Sequence, residues 1–107
     1  MADIVSKLWT LIDLQIPLVT TDMETYLLKE GIFTQDDLNK FKEISKSIKR
    51  AYYALQRDPE DAIKTLKKAL EELKTIQPKK PMPPEMKIRF EAIMRALVEA
   101  TSSTGPK

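Results

Sequence analysis

The sequence of 107 residues has no cysteine and no histidine, and it has only two glycines. Without cysteine there is no disulfide, no thiolate nucleophile and no sulfur-ligated zinc, and without histidine the commonest general base and metal ligand is missing. Two isolated glycines also exclude a glycine-rich loop that cradles phosphate. We therefore expect a protein that is not an enzyme and that carries no cofactor and no metal.

Carboxylates are the main catalytic chemistry left to such a chain. The paired acids, Asp36 with Asp37 and Glu60 with Asp61, fall in the first turns of predicted helices. Capping and the helix dipole account for acids at such positions. An enzyme is therefore the least favoured of the three classes of function considered, behind a nucleic-acid-binding protein and a protein-binding adaptor.

Long apolar runs are missing as well. The most apolar stretch, LWTLIDLQIPLV, is interrupted by Asp13 and Pro17 and is too short to cross a bilayer. It lacks the basic region and cleavage site of a signal peptide, so we expect a cytoplasmic protein with no membrane partner. The composition is rich in Lys, Glu, Leu and Ile, and Asn39 is the single asparagine. This bias is typical of proteins from hot environments and suggests a thermophilic source.

The main pattern present in the sequence is the periodicity of α-helices. Residues 34–57 read as one long helix that begins with a capping box of Thr34 and Asp37. Asp58 and Pro59 then start a second helix whose apolar residues keep a three-four spacing to Ile76. The two helices predict a central antiparallel hairpin over residues 34–77.

The flanking segments predict further helices. Residues 3–15 give a first helix that ends before Pro17, and a short helix follows from Thr21, which we expect to share a capping box with Glu24. We expect Trp9 to be a core anchor, with an exposed docking residue as the alternative.

A proline-rich spacer follows the hairpin and leads to the last predicted helix. The spacer covers residues 77–84 and the helix covers residues 85–100. The predicted fold is all-α: a single domain over residues 1–100, a bundle of four to five helices built on the central hairpin, followed by a disordered tail at 101–107.

The stretch AYYALQRDPEDAIKTLKKALEEL resembles a tetratricopeptide-repeat hairpin. Ala62, Leu66 and Ala69 match the small-large-small pattern of the repeat's second helix, and Tyr53 matches an aromatic residue of its first. Only one copy is found, whereas a solenoid needs about three. The resemblance implies a local hairpin and, as one functional alternative, a module that binds a peptide or a helix of a protein partner.

A basic face on the central helix is the strongest functional pattern. Its members alternate with the core positions and include no acid: Lys42, Lys46, Lys49, Arg50, Tyr53 and Arg57. They extend over about 22 Å at ~1.5 Å per residue, which suits several phosphates of DNA or RNA, and the tyrosine offers a stacking surface. If the last helix packs beside the central one, further bases would extend this face: Lys79, Lys80, Lys87, Arg89 and Arg95.

The basic face has three alternative interpretations: a solvated helix surface, a nucleic-acid contact or a contact for an acidic protein. The absence of acids in the pattern speaks against a purely solvating role. The predicted function is a small accessory or adaptor subunit of a nucleic-acid-handling assembly, with the peptide- or helix-binding module as the alternative.

Overall fold

The computed structural model describes residues 2–102, and within them the chain forms four helices and no strand. Helix α1 occupies residues 2–27, α2 Gln35–Ala54, α3 Pro59–Lys74 and α4 Pro84–Ser102. The predicted all-α class is confirmed. Of the tail predicted to be disordered, Thr101 and Ser102 belong to α4, and residues 103–107 lie outside the described residues.

Helix α1 replaces the two amino-terminal helices that the sequence predicts. Its consecutive segments are Ala2–Thr10, Leu11–Gln15, Ile16–Asp22 and Met23–Leu27, and the second and fourth are π-helical. Ile16 keeps helical dihedral angles, with φ −63° and ψ −45°, so the predicted end before Pro17 is wrong. The predicted capping box at Thr21 is wrong too, because this residue lies inside a continuous helix.

The first π-helical turn explains how the helix passes a proline. In an α-helix a proline has no N–H to donate, and its ring collides with the carbonyl four residues earlier. Here the preceding turn is widened, and the Ile16 N–H reaches the Leu11 carbonyl five residues back. The wider turn gives the Pro17 ring room, so the helix continues.

The four helices pack in a ring in which each contacts its neighbours in sequence and α4 closes against α1. Helices α1 and α4 run antiparallel, because Lys7 pairs with Glu99 at one end and Asp22 pairs with Arg89 at the other. Helices α2 and α3 share the most extensive contact. The core lies between all four, with Leu8, Leu66 and Leu97 completely buried.

The predicted helix caps of α2 and α3 are present. The Thr34 hydroxyl accepts a hydrogen bond from the Asp37 N–H at 3.1 Å, and the Asp37 carboxylate accepts one from the Thr34 N–H at 2.9 Å. The Asp58 carboxylate accepts from the Asp61 N–H at 3.2 Å. Each cap satisfies backbone donors that the first helical turn leaves free.

The proline-rich spacer is fastened to the loop between α1 and α2. The Lys79 N–H donates to the Ile32 carbonyl at 2.8 Å, and the Lys79 ammonium donates to Asp37 Oδ2 at 2.6 Å. The Lys80 ammonium donates to the Glu30 carbonyl at 3.1 Å. These bonds fix the path by which the chain crosses from α3 to α4.

Candidate functional site

The predicted basic face lies on the outer side of α2, between the neighbouring helices α1 and α3. The inner side of α2 is buried at Phe41 and Ile48, among others. Because an α-helix repeats every 3.6 residues, the basic positions point away from the core. All five bases of the face are exposed, and so is Tyr53.

The amino-terminal half of the basic face is accompanied by acids. Lys42 Nζ lies 3.1 Å from Glu24 Oε2 on α1, and Lys46 Nζ lies 3.4 Å from Glu43 Oε2 one turn earlier on α2. The expected acid-free face is therefore wrong for this half. These two lysines are paired, and their positive charge is partly neutralised before any ligand arrives.

The carboxy-terminal half keeps its charge. We call Lys49, Arg50 and Arg57 the basic end; in the part of the chain that the structure describes, none of the three forms an ion pair. The Arg50 guanidinium donates to the Ser47 hydroxyl, at 3.2 Å. Tyr53 lies among them and is 64% exposed.

Trp9 is a second exposed aromatic residue at this end of the bundle. It is 49% exposed, so the predicted core anchor is wrong, while the docking role of the alternative stays a prediction. Its ring centroid lies 5.8 Å from that of Tyr52 on α2, at an interplanar angle of 38°. Tyr52 in turn meets Tyr53 edge to face, at 5.3 Å and 78°.

The three rings form a row that crosses from α1 to α2, which we call the aromatic row: Trp9, Tyr52 and Tyr53. Sequence reasoning found Tyr53 and missed Trp9. The signal was present, because Trp9 lies at the margin of an apolar arc wider than one helix can bury, whereas Leu8 and Leu11 are completely buried.

A groove of about 670 Å³ separates α2 from α3. Arg50, Tyr53 and Arg57 line one of its walls, with small residues such as Ala54 and Thr65 beside them. Acids also contribute, among them Asp61 from the first turn of α3. Lys49 instead lines the groove between α2 and α1, so the basic end flanks Tyr53 on both sides.

The bases expected to extend the face lie elsewhere. Helix α4 packs against α1 and α3 and faces α2 across the core, where the rings of Phe41 and Phe90 are 6.3 Å apart. Arg89 forms two hydrogen bonds with the buried Asp22, at 2.7 and 2.8 Å, and these bonds raise the pKa of its guanidinium. The predicted extension is therefore wrong.

The described residues offer neither a metal site nor a helix that could span a membrane. No group of three or more carboxylates there could hold a metal ion. None of the helices within residues 2–102 is long and apolar enough to cross a membrane. No known protein family, curated protein or solved structure matches the chain.

Proposed function

We propose that the protein is a small non-catalytic accessory subunit that contacts the phosphates of nucleic acid through the basic end. The observation that carries the proposal is that three exposed bases lie around an exposed tyrosine and form no ion pair within residues 2–102. The hairpin of residues 34–77 serves as the rigid support for this surface.

The contrast between the two halves of the basic face supports this proposal over a purely solvating role. A solvating face mixes charges of both signs, as Lys42 with Glu24 and Lys46 with Glu43 do. The basic end instead concentrates positive charge without a paired acid. A surface of this kind attracts a phosphate backbone, and binding releases the counterions of the nucleic acid.

The test is fluorescence anisotropy of labelled single- and double-stranded DNA and RNA, titrated with the protein over a series of salt concentrations. Three neutralised phosphates would give a slope of about −2 in log K against log [salt] for single strands. The triple variant Lys49→Gln, Arg50→Gln, Arg57→Gln should lose most of the affinity.

A matched control removes three charges outside the proposed surface. Lys64, Lys67 and Lys87 are exposed and form no ion pair in the described part of the chain, and their replacement by Gln changes the net charge equally. We expect this control to bind nearly as well as the wild type. Equal losses in both triple variants, or no binding at low salt, would refute the proposal.

A second candidate is the module that binds a peptide or helix in the groove between α2 and α3. The small residues Ala54 and Thr65 on its walls favour this alternative, because they leave room for an inserted side chain. Binding of this kind would be insensitive to salt and to Lys49→Gln, because Lys49 lies outside this groove. It would be lost in Thr65→Arg, which fills the groove.

A further inference from the structure

We infer that the surface selects unpaired strands and that Trp9 supplies a second stacking position for a base, beside Tyr53. The inference rests on the proposed function and specifies its ligand. It would make the protein a binder of single-stranded DNA or RNA, in which the bases as well as the phosphates contribute to affinity.

Exposure of the rings is the first argument. Trp9 and Tyr53 are 49% and 64% exposed, whereas the ring between them, Tyr52, is half-buried. Neither ring pair is stacked face to face, since the interplanar angles are 38° and 78°. Trp9 and Tyr53 therefore keep ring surface on which an unpaired base can stack.

Fixed orientation is the second argument. Tyr52 contacts Trp9 on one side and Tyr53 on the other, with centroid distances of 5.8 and 5.3 Å. Rings held in this way lose little side-chain freedom when a ligand stacks on them. The row also joins two helices, so a strand that follows it crosses from α2 onto α1.

The positions of the charged side chains imply that a bound strand makes different contacts along its length. The basic end flanks Tyr53, with Lys49 on the α1 side and Arg50 and Arg57 on the α3 side. Helix α1 itself adds little free positive charge, because Lys7 is its only base and pairs with Glu99 at 3.1 Å. Phosphates are therefore held around Tyr53, and Trp9 contributes through its ring.

Duplexes cannot use the aromatic row. Their bases are stacked on one another inside the double helix, and a ring can enter between them only at the cost of unstacking a base step. A duplex would contact only the basic end. The aromatic row should consequently separate single strands from duplexes of equal phosphate number.

The first experiment uses Trp9 as its own probe, because it is the only tryptophan in the chain. Titration with single-stranded DNA and RNA oligonucleotides should quench its emission, and a duplex should quench it much less. An abasic oligonucleotide of the same length keeps the phosphates without the bases. It should leave the emission nearly unchanged and bind more weakly than the normal strand.

Variants provide the second readout. Trp9→Ala and Tyr53→Ala should each lower single-strand affinity about 5- to 100-fold and leave duplex affinity unchanged, while Trp9→Phe retains part of the stacking. Leu14→Ala on α1 and Tyr26→Ala remove exposed apolar side chains outside the aromatic row and serve as controls. All four alanine variants should keep the circular dichroism of the wild type.

The outcomes separate this inference from the proposed function. If the abasic strand binds as well as the normal one, or Trp9→Ala lowers single-strand affinity no more than Leu14→Ala, the stacking site is refuted while the phosphate contact stands. If polyglutamate competes as well as DNA, the surface binds polyanions in general and the inference fails. If the wild-type protein binds neither single strands nor duplexes at low salt, the proposed function itself is refuted.

Discussion

Replacement of Asp37 by alanine should destabilise the fold more than its position in the sequence suggests. Its carboxylate accepts from the Thr34 N–H at 2.9 Å and from the Lys79 ammonium at 2.6 Å. One side chain therefore closes the cap of α2 and fastens the spacer that precedes α4. The variant breaks both connections at once.

The expected magnitude follows from the two bonds. The hydrogen bond from Thr34 ends on a charged group whose side chain is only 14% exposed, and its loss costs about 1.5 kcal/mol. Lys79 is 48% exposed, so solvent screens the ion pair and its contribution is about 0.5 kcal/mol. Together they predict a loss of about 2 kcal/mol, or about 9 °C in Tm for a domain of this size.

The loss should depend on pH. Burial acts to raise the pKa of Asp37, but the hydrogen bonds from Lys79 and Thr34 outweigh it, and the pKa is lowered. A carboxylate whose pKa is lower in the folded state stabilises the fold fully above its ordinary pKa of about 4. This stabilisation is lost as the pH falls through the lower folded value.

Urea unfolding of wild type and Asp37→Ala, followed by circular dichroism at pH 7 and then stepwise from pH 4 to pH 2, measures the effect. Asp36→Ala is the matched control, because Asp36 shares the first turn and its dipole but its side chain forms no hydrogen bond in the described part of the chain. A loss equal to that of Asp36→Ala, or one that persists unchanged at pH 2, would refute the reasoning.

Three further changes test the fold through its stability, measured as Tm or as the free energy of unfolding in urea. Asp22→Ala removes both hydrogen bonds to Arg89, so it should lower Tm clearly more than Asp13→Ala, whose side chain is exposed. Leu66→Ala empties a fully buried position and should cost about 3 kcal/mol of unfolding free energy in urea. Gly31→Ala should cost about 1 kcal/mol, because the residue has φ +75° while an added Cβ meets only Lys80, at an ordinary 3.5 Å.

The starts of α2 and α3 and the core positions of α3 were predictable because local chemistry determines them. The capping box of Thr34 and Asp37 and the cap at Asp58 depend on residues three apart, and the structure contains both. The three-four spacing of apolar residues in α3 likewise predicts which side chains are buried, and Leu66 and Leu73 are completely buried. In these cases no distant part of the chain competes with the local signal.

The errors arise where a neighbouring helix or a widened turn changes the local outcome. Pro17 is a strong helix breaker in an α-helix, but one π-helical turn gives it room. Of the two acids that accompany the basic face, one lies on the same helix and one on a neighbouring helix. Glu43 precedes Lys46 by three residues, whereas Glu24 reaches Lys42 only because α1 packs against α2.

Trp9 shows how the same packing creates the candidate site. An apolar arc as broad as that of α1 cannot be buried completely, so the largest side chain at its margin stays half outside the core. Helix α2 then brings Tyr52 against it, and Tyr53 follows one residue later. The basic end on the same helix supplies charge that the row lacks. The contact between α1 and α2 thus brings the stacking surface and the positive charge together. The periodicity of a single helix cannot predict this contact, because it carries no information about the neighbouring helix.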